Sequence, residues 1–90
     1  MNGKNNEHIK KVKAVREQKP LPDWYDGAKY VQWETVENPF TGDKALLSPN
    51  EVAMYDLIKG AEAFGQYRIM EKGLDWFRGA NPEAYMTLLD

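Results

Sequence analysis

The chain has 90 residues, of which 42% are hydrophobic and 12% aromatic, and its formal net charge is −2 at pH 7. A chain of this length forms one small domain, and its apolar content predicts that it folds. The absence of cysteine excludes disulfides, thiolate nucleophiles and most structural zinc sites.

The charge is distributed unevenly. Residues 1–20 carry +4 and residues 21–90 carry −6, which indicates a basic arm on an acidic body. The N-terminus has no apolar signal core, and no window approaches the roughly 20 apolar residues of a membrane span. We therefore expect a soluble, cytoplasmic protein with no membrane partner.

Residues 7–19 are the first segment with helical spacing. Ile9, Val12 and Val15 form a thin apolar stripe, which predicts a basic, loosely packed N-terminal helix. Its lysines and arginine could contact nucleic acid, since phosphate contacts need only positive charge. These candidate residues are Lys10, Lys11, Lys13 and Arg16. Docking of the segment onto an acidic partner, or onto the chain's own acidic body, is an alternative.

Two prolines follow this segment. Pro20 and Pro22 each remove a backbone donor and favour an extended conformation in the residue before them. We interpret residues 19–23 as a linker. The predicted organisation is an arm with its linker over residues 1–22 and a single helical domain over residues 23–90.

Residues 29–47 carry the β-like signal. Residues 29–37 are rich in β-branched and aromatic side chains and predict a strand, and residues 38–43 form a turn cluster. Residues 44–47 return as a short second strand. A two-stranded hairpin is unstable alone, so we expect it to lie on the helices. The side chains expected to make this contact are Trp33, Phe40 and either Leu46 or Leu47.

Residues 48–51 are the most specific local signal. Ser48 is placed as an N-cap, Pro49 at the first helical position and Glu51 at the third, which predicts a capping box. The helix runs to about residue 64 and presents one apolar face. That face contains Met54, Leu57, Ile58, Ala61 and Phe64. We predict a break at residues 64–66, because one helix to residue 77 would be about 45 Å long. The alternative to a break is that Gly60 and Ala61 allow close packing between helices.

Two further helices are predicted. The first covers residues 66–78, and Gly79 is placed to cap its C-terminus. Its apolar stripe consists of Ile69, Met70, Gly73, Leu74 and Phe77. The second covers residues 82–89, with Asn81 as its cap and Pro82 at its first position. The predicted fold is therefore mainly α, with two to three C-terminal helices packed on a short hairpin.

No catalytic or metal-binding constellation stands out. His8 is the only histidine, and the carboxylate pairs have spacings that surface acids reach by chance. Neither GxGxxG nor GxxxxGK[ST] occurs. The sequence therefore predicts that the protein is not an enzyme and has no cofactor, metal or small-molecule substrate.

Eleven aromatic residues are many for a core of this size. Aromatic side chains that a small core cannot cover are typical interface anchors. The candidate partner-binding residues are Trp24, Tyr25, Trp33 and Trp76. The alternative is that these side chains complete the core, and packing over the core edge is the favoured interpretation for the first two.

Residues 37–42 and 46–62 resemble small uncharacterised proteins of tailed bacteriophages, especially phages of marine bacteria. Residues 73–77 and 85–90 fit the same resemblance, which covers about residues 36–90 and carries no activity. It implies a phage product in the host cytoplasm. Taken together, these features predict a non-enzymatic protein-interaction module that binds a host or phage protein or self-associates. The alternatives are a nucleic-acid-associated accessory protein and a minor virion component.

Overall fold

The computed structural model describes residues 18–90. Two strands, β1 (Glu34–Glu37) and β2 (Lys44–Leu47), precede three helices, α1 (Pro49–Ala63), α2 (Tyr67–Ala80) and α3 (Pro82–Leu88). The protein is mainly helical with a two-stranded antiparallel hairpin, which confirms the predicted fold class. The basic helix predicted over residues 7–19 lies outside the described residues, except for its last two positions, which are not helical.

The start of α1 has the predicted capping box. The Ser48 hydroxyl accepts a hydrogen bond from the Glu51 backbone N–H at 3.3 Å, and Glu51 Oε1 accepts one from the Ser48 N–H at 3.0 Å. The same Oε1 also accepts from Asn81 Nδ2 at 3.1 Å. Asn81 Oδ1 in turn accepts from the Ala84 N–H at 3.1 Å and caps α3. One buried carboxylate therefore connects the beginnings of two helices.

The predicted break between α1 and α2 is present. Gly65 adopts a positive φ of 72°, a conformation that glycine enters without steric cost, and the Gln66 N–H donates to the Ala61 carbonyl at 2.8 Å. The placement of Phe64 on the buried face was wrong, because its side chain is 82% exposed. The chain reverses immediately after Phe64, so α2 packs against the preceding turns of α1 and leaves this ring uncovered.

The contact between α1 and α2 depends on Gly73. This residue is buried, and a Cβ added to it would lie 2.7 Å from Ile58 Cγ1 and 3.3 Å from Met54 Sδ. A Cβ at Gly60 would meet nothing within 4 Å. The Gly60 part of the alternative was therefore wrong, whereas Ala61 is buried. The glycine that the close contact requires is Gly73.

The core lies where the three helices and the end of β2 meet. Leu47 and Phe77 are fully buried at its centre. Its other buried apolar members are Tyr25, Val52, Ala53, Met54, Ile58, Ala61, Trp76, Ala84 and Leu88. Of the stripe predicted for α2, Gly73 and Phe77 are buried, whereas Ile69 is 38% exposed.

The hairpin is shorter than predicted; of the side chains expected to pack on the helices, Leu47 is fully buried in the core, as predicted. Glu34 pairs with Leu47 and Glu37 pairs with Lys44, whereas residues 29–33 are not in a strand. The expectation that Phe40 packs on the helices was wrong, because its side chain is 91% exposed at the turn. The Asn38 amide instead donates to the Thr87 carbonyl of α3 at 2.9 Å.

The junction between α2 and α3 also differs from the prediction. α2 continues past Gly79, the predicted cap, and ends at Ala80. Asn81 donates its backbone N–H to the Phe77 carbonyl at 2.9 Å and caps α3 with its side chain, as predicted for that helix. A single residue thus ends one helix and begins the next.

The proline segment lies against the helices. The Trp76 indole N–H donates to the Pro20 carbonyl at 3.0 Å, and the Asn50 amide donates to the Lys19 carbonyl at 3.0 Å. The Asn50 backbone N–H donates to Gln18 Oε1 at 2.6 Å. Residues 18–20 are therefore joined to α1 and α2 by hydrogen bonds from both helices.

We predict that Glu51 and Asn81 are energetically coupled. Glu51→Ala leaves the Ser48 N–H and the Asn81 amide without this acceptor, so we expect a loss of about 2–3 kcal/mol in the free energy of unfolding. A double-mutant cycle with Asn81→Ala, measured by urea denaturation, should give a coupling of about 0.5 kcal/mol or more. Glu62→Ala, at an exposed position of α1, is the control. Additive losses at the two sites would contradict the coupling.

We also predict opposite effects for alanine at two helical glycines. Gly73→Ala should destabilise the fold by about 1–2 kcal/mol, because the new methyl group overlaps Ile58. Gly60→Ala should stabilise it by about 0.5–1 kcal/mol, because the methyl group enters open space and alanine favours a helix. Thermal unfolding of both variants measures the difference. A stabilising Gly73→Ala would show that the helices are not in close contact there.

Candidate functional site

An open groove lies between residues 29–34 and α1, and we refer to it as the Tyr30 groove. Its volume is about 610 Å³. Its walls are formed by Lys29, Tyr30, Val31, Gln32, Trp33, Glu34, Val52 and Asp56. Six of these eight residues are consecutive, and the other two lie one helical turn apart on α1. The groove therefore exists because an irregular segment crosses the first half of a helix.

Tyr30 joins the two walls of the groove. Its hydroxyl donates to Asp56 Oδ2 at 2.8 Å. This hydrogen bond, together with the negative charge of the Asp56 carboxylate, raises the pKa of Tyr30 above its ordinary value. Nearby Glu34 acts in the same direction, because its charge also disfavours the phenolate. Asp56 and Glu34 thus both place negative charge near the Tyr30 hydroxyl.

Tyr25 supports the segment that enters the groove. It is a core residue whose hydroxyl donates to the Ala28 carbonyl. Burial raises the pKa of Tyr25, and the charges of Asp56 and Asp26 raise it further. Gly27 passes so close to this ring that a Cβ there would lie 2.7 Å from the hydroxyl oxygen. The buried tyrosine therefore fixes the loop from which the groove wall begins.

The four aromatic residues proposed as partner anchors have different environments. Tyr25 is 9% exposed and Trp76 is 8% exposed, so both contribute to the core as the alternative interpretation describes. Trp24 is half-buried, and Lys72 Nζ lies 4.7 Å from the centre of its ring. Trp33 is half-buried and lines the Tyr30 groove. Of the four, only Trp33 lies at this groove, and partner binding through any of them stays a prediction.

The exposed apolar side chains were not among the predicted site residues. Val31, at 88% exposure, and Tyr30, at 40%, line the groove. Phe64 and Tyr67, at 82% and 61% exposure, flank the turn between α1 and α2, and we call this pair the turn patch. The sequence places Val31 within the strand predicted over residues 29–37. Because residues 29–33 are not in a strand, their side chains do not alternate between two faces of a sheet.

Several predicted features lie beyond the described part of the chain. Lys10, Lys11, Lys13, Arg16 and His8 all belong to the undescribed residues. Within residues 18–90, no group of three histidine, cysteine or acidic side chains could hold a metal ion. None of the helices in the same range is long and apolar enough to cross a bilayer.

Comparison with protein-family models, curated proteins and solved structures finds no match to this chain. The resemblance to bacteriophage proteins therefore stays a prediction.

We predict that Asp56→Asn lowers the pKa of Tyr30 toward its ordinary value of 10.0. The folded chain holds this proton more tightly than the unfolded chain does, so the associated stability is present below pH 10.0 and is lost as the pH rises through the raised pKa. A ¹³C NMR titration, assigned with Tyr30→Phe, measures the change. Asp75→Asn, which removes the partner of Arg78, is the control and should leave Tyr30 unchanged. An identical titration in the Asp56 variant would contradict the assignment.

Proposed function

We propose that this chain is a non-enzymatic protein-interaction module that binds a short segment of a partner protein in the Tyr30 groove. The observation that carries the proposal is the groove itself, with Val31 88% exposed on its wall. When a partner covers an apolar side chain on a groove wall, the free energy of binding becomes more favourable by roughly 25 cal/mol per Å² of apolar area removed from water.

The shape of the groove supports a peptide partner over a small molecule. Small-molecule sites enclose most of their ligand, whereas this groove is wide open to solvent along residues 29–34. Segments of partner proteins bind such surfaces through a few anchors and their own backbone. Tyr30 and Val31 provide apolar contact, and Asp56 and Glu34 provide charge. The groove is therefore suited to a chain with both apolar and basic side chains.

The resemblance to phage proteins indicates where such a module would act. It would place the module in the host cytoplasm, where the partner is a host or phage protein, or in the virion as a minor component.

A second copy of the chain is an alternative partner, because the turn patch has two exposed aromatic rings that flank one turn. Sedimentation of the wild type and of Phe64→Ser distinguishes self-association from binding in the groove.

Nucleic-acid association is the second candidate function, and the +4 charge of residues 1–20 favours it. The −6 charge of residues 21–90 would repel a phosphate backbone, so such binding would depend on the basic residues of the arm. DNA affinity that falls steeply with salt and disappears when Lys10, Lys11, Lys13 and Arg16 are changed to glutamine would support this function. The Tyr30 groove would have no part in it.

Selection from a display library of random 12-residue peptides tests the groove. We predict that peptides selected on the wild-type protein lose about tenfold in affinity for Val31→Lys, because a charged side chain replaces an apolar anchor. Met86→Lys introduces the same charge at a position that is 67% exposed on α3 and does not line the groove. Its affinity should equal that of the wild type. Equal losses for both variants, or no selected peptide, would contradict the proposal.

A further inference from the structure

The outer edge of β1 is a strand edge without a partner strand among the described residues. Within residues 18–90 the sheet has two strands, and β1 pairs with β2. The Asn38 N–H donates to its register partner Asp43 at 2.8 Å, which makes that pair hydrogen-bonded. In an antiparallel ladder, hydrogen-bonded and non-hydrogen-bonded pairs alternate. The backbone N–H and C=O groups of Thr35 and Glu37 therefore point away from β2.

This outer edge and the Tyr30 groove meet at one residue, Glu34. Glu34 is the first residue of β1 and also a wall of the groove. Thr35 and Glu37 are exposed, so their outward backbone groups are accessible to a third strand. An exposed strand edge is a template for the addition of an extended chain. A segment that pairs with β1 would extend past Glu34 into the groove beside Tyr30.

The charges along this path determine which kind of segment fits. Glu34 and Glu37 lie on β1, and Asp56 lies in the groove; Lys29 is the one basic residue among the groove walls. A second copy of β1 would bring two more glutamates to the same edge, and like charges on adjacent strands repel. A basic segment would instead place opposite charges across the strand pair. The spacing of the glutamates requires two basic residues separated by two others.

We propose that β1 binds an extended, basic segment of the partner protein as a third strand, with its continuation in the Tyr30 groove. This inference rests on the proposed function and specifies the partner's conformation and charge. Backbone hydrogen bonds to Thr35 and Glu37 hold the segment, and its basic side chains pair with Glu34 and Glu37. Apolar residues of the segment then contact Tyr30 and Val31.

The test uses the 90-residue chain and the end-blocked peptide TKVTKVT, whose two lysines have the required spacing. Binding should slow hydrogen exchange of the Thr35 and Glu37 amides at least tenfold, because both become hydrogen-bonded. The charge-reversed peptide TEVTEVT should not bind. A peptide N-methylated at alternate residues keeps its charge and loses the donors that pair with β1, so its affinity should fall at least tenfold.

Two variants of the protein separate backbone pairing from charge. Thr35→Pro removes an outward N–H that makes no bond to β2 and should abolish TKVTKVT binding, whereas Thr35→Val should retain it. Glu34→Gln and Glu37→Gln should each weaken binding about threefold, as expected for exposed ion pairs. The circular dichroism spectrum of each variant verifies that it is folded.

Any one of three results would overturn the inference. TKVTKVT does not bind at millimolar concentration, TEVTEVT binds equally well, or TKVTKVT binds and leaves the Thr35 and Glu37 amides unprotected from exchange. If library peptides bind at Val31 while TKVTKVT does not bind and the amides stay unprotected, the third-strand inference fails and the proposed function stands. If no library peptide depends on Val31, the proposed function fails as well.

Discussion

The buried carboxylate of Glu51 is the interaction on which the rest of the structure depends. It accepts hydrogen bonds from Ser48 at the start of α1 and from Asn81 at the start of α3. A carboxylate that is only 4% exposed is costly to bury without such partners. Because Asn81 also ends α2 and Ser48 directly follows β2, this one group connects the ends of four elements.

Close packing between α1 and α2 is the second constraint, and it affects the surface as well as the core. Gly73 lets α2 approach Ile58 and Met54, and the turn at Gly65 that makes this approach possible leaves Phe64 outside. The turn patch is thus a consequence of how the helices connect. Its aromatic rings are exposed because the chain reverses before any element can cover them.

The Tyr30 groove arises from the way the segment before the hairpin is held. Tyr25 is buried and fixes the loop at Ala28, and Tyr30 reaches across to Asp56 on α1. In the described structure, residues 29–33 after this loop have no ladder partner, and their side chains line the open groove. The Asp56 carboxylate raises the pKa of Tyr30 and, together with Glu34, gives the groove its negative charge. A basic, extended partner segment would complete both the sheet edge and the groove.

Local patterns in the sequence determined the helices, the break at Gly65 and the capping box at Ser48, because these depend on residues within one or two turns of each other. The sequence also indicated the hairpin. Only the tertiary structure decided that Gly73 makes the close contact, that Phe64 and Phe40 are exposed, and that Tyr25 and Trp76 are buried. Each of these outcomes depends on which distant element covers a side chain, and periodicity within one segment carries no information about its neighbours in space.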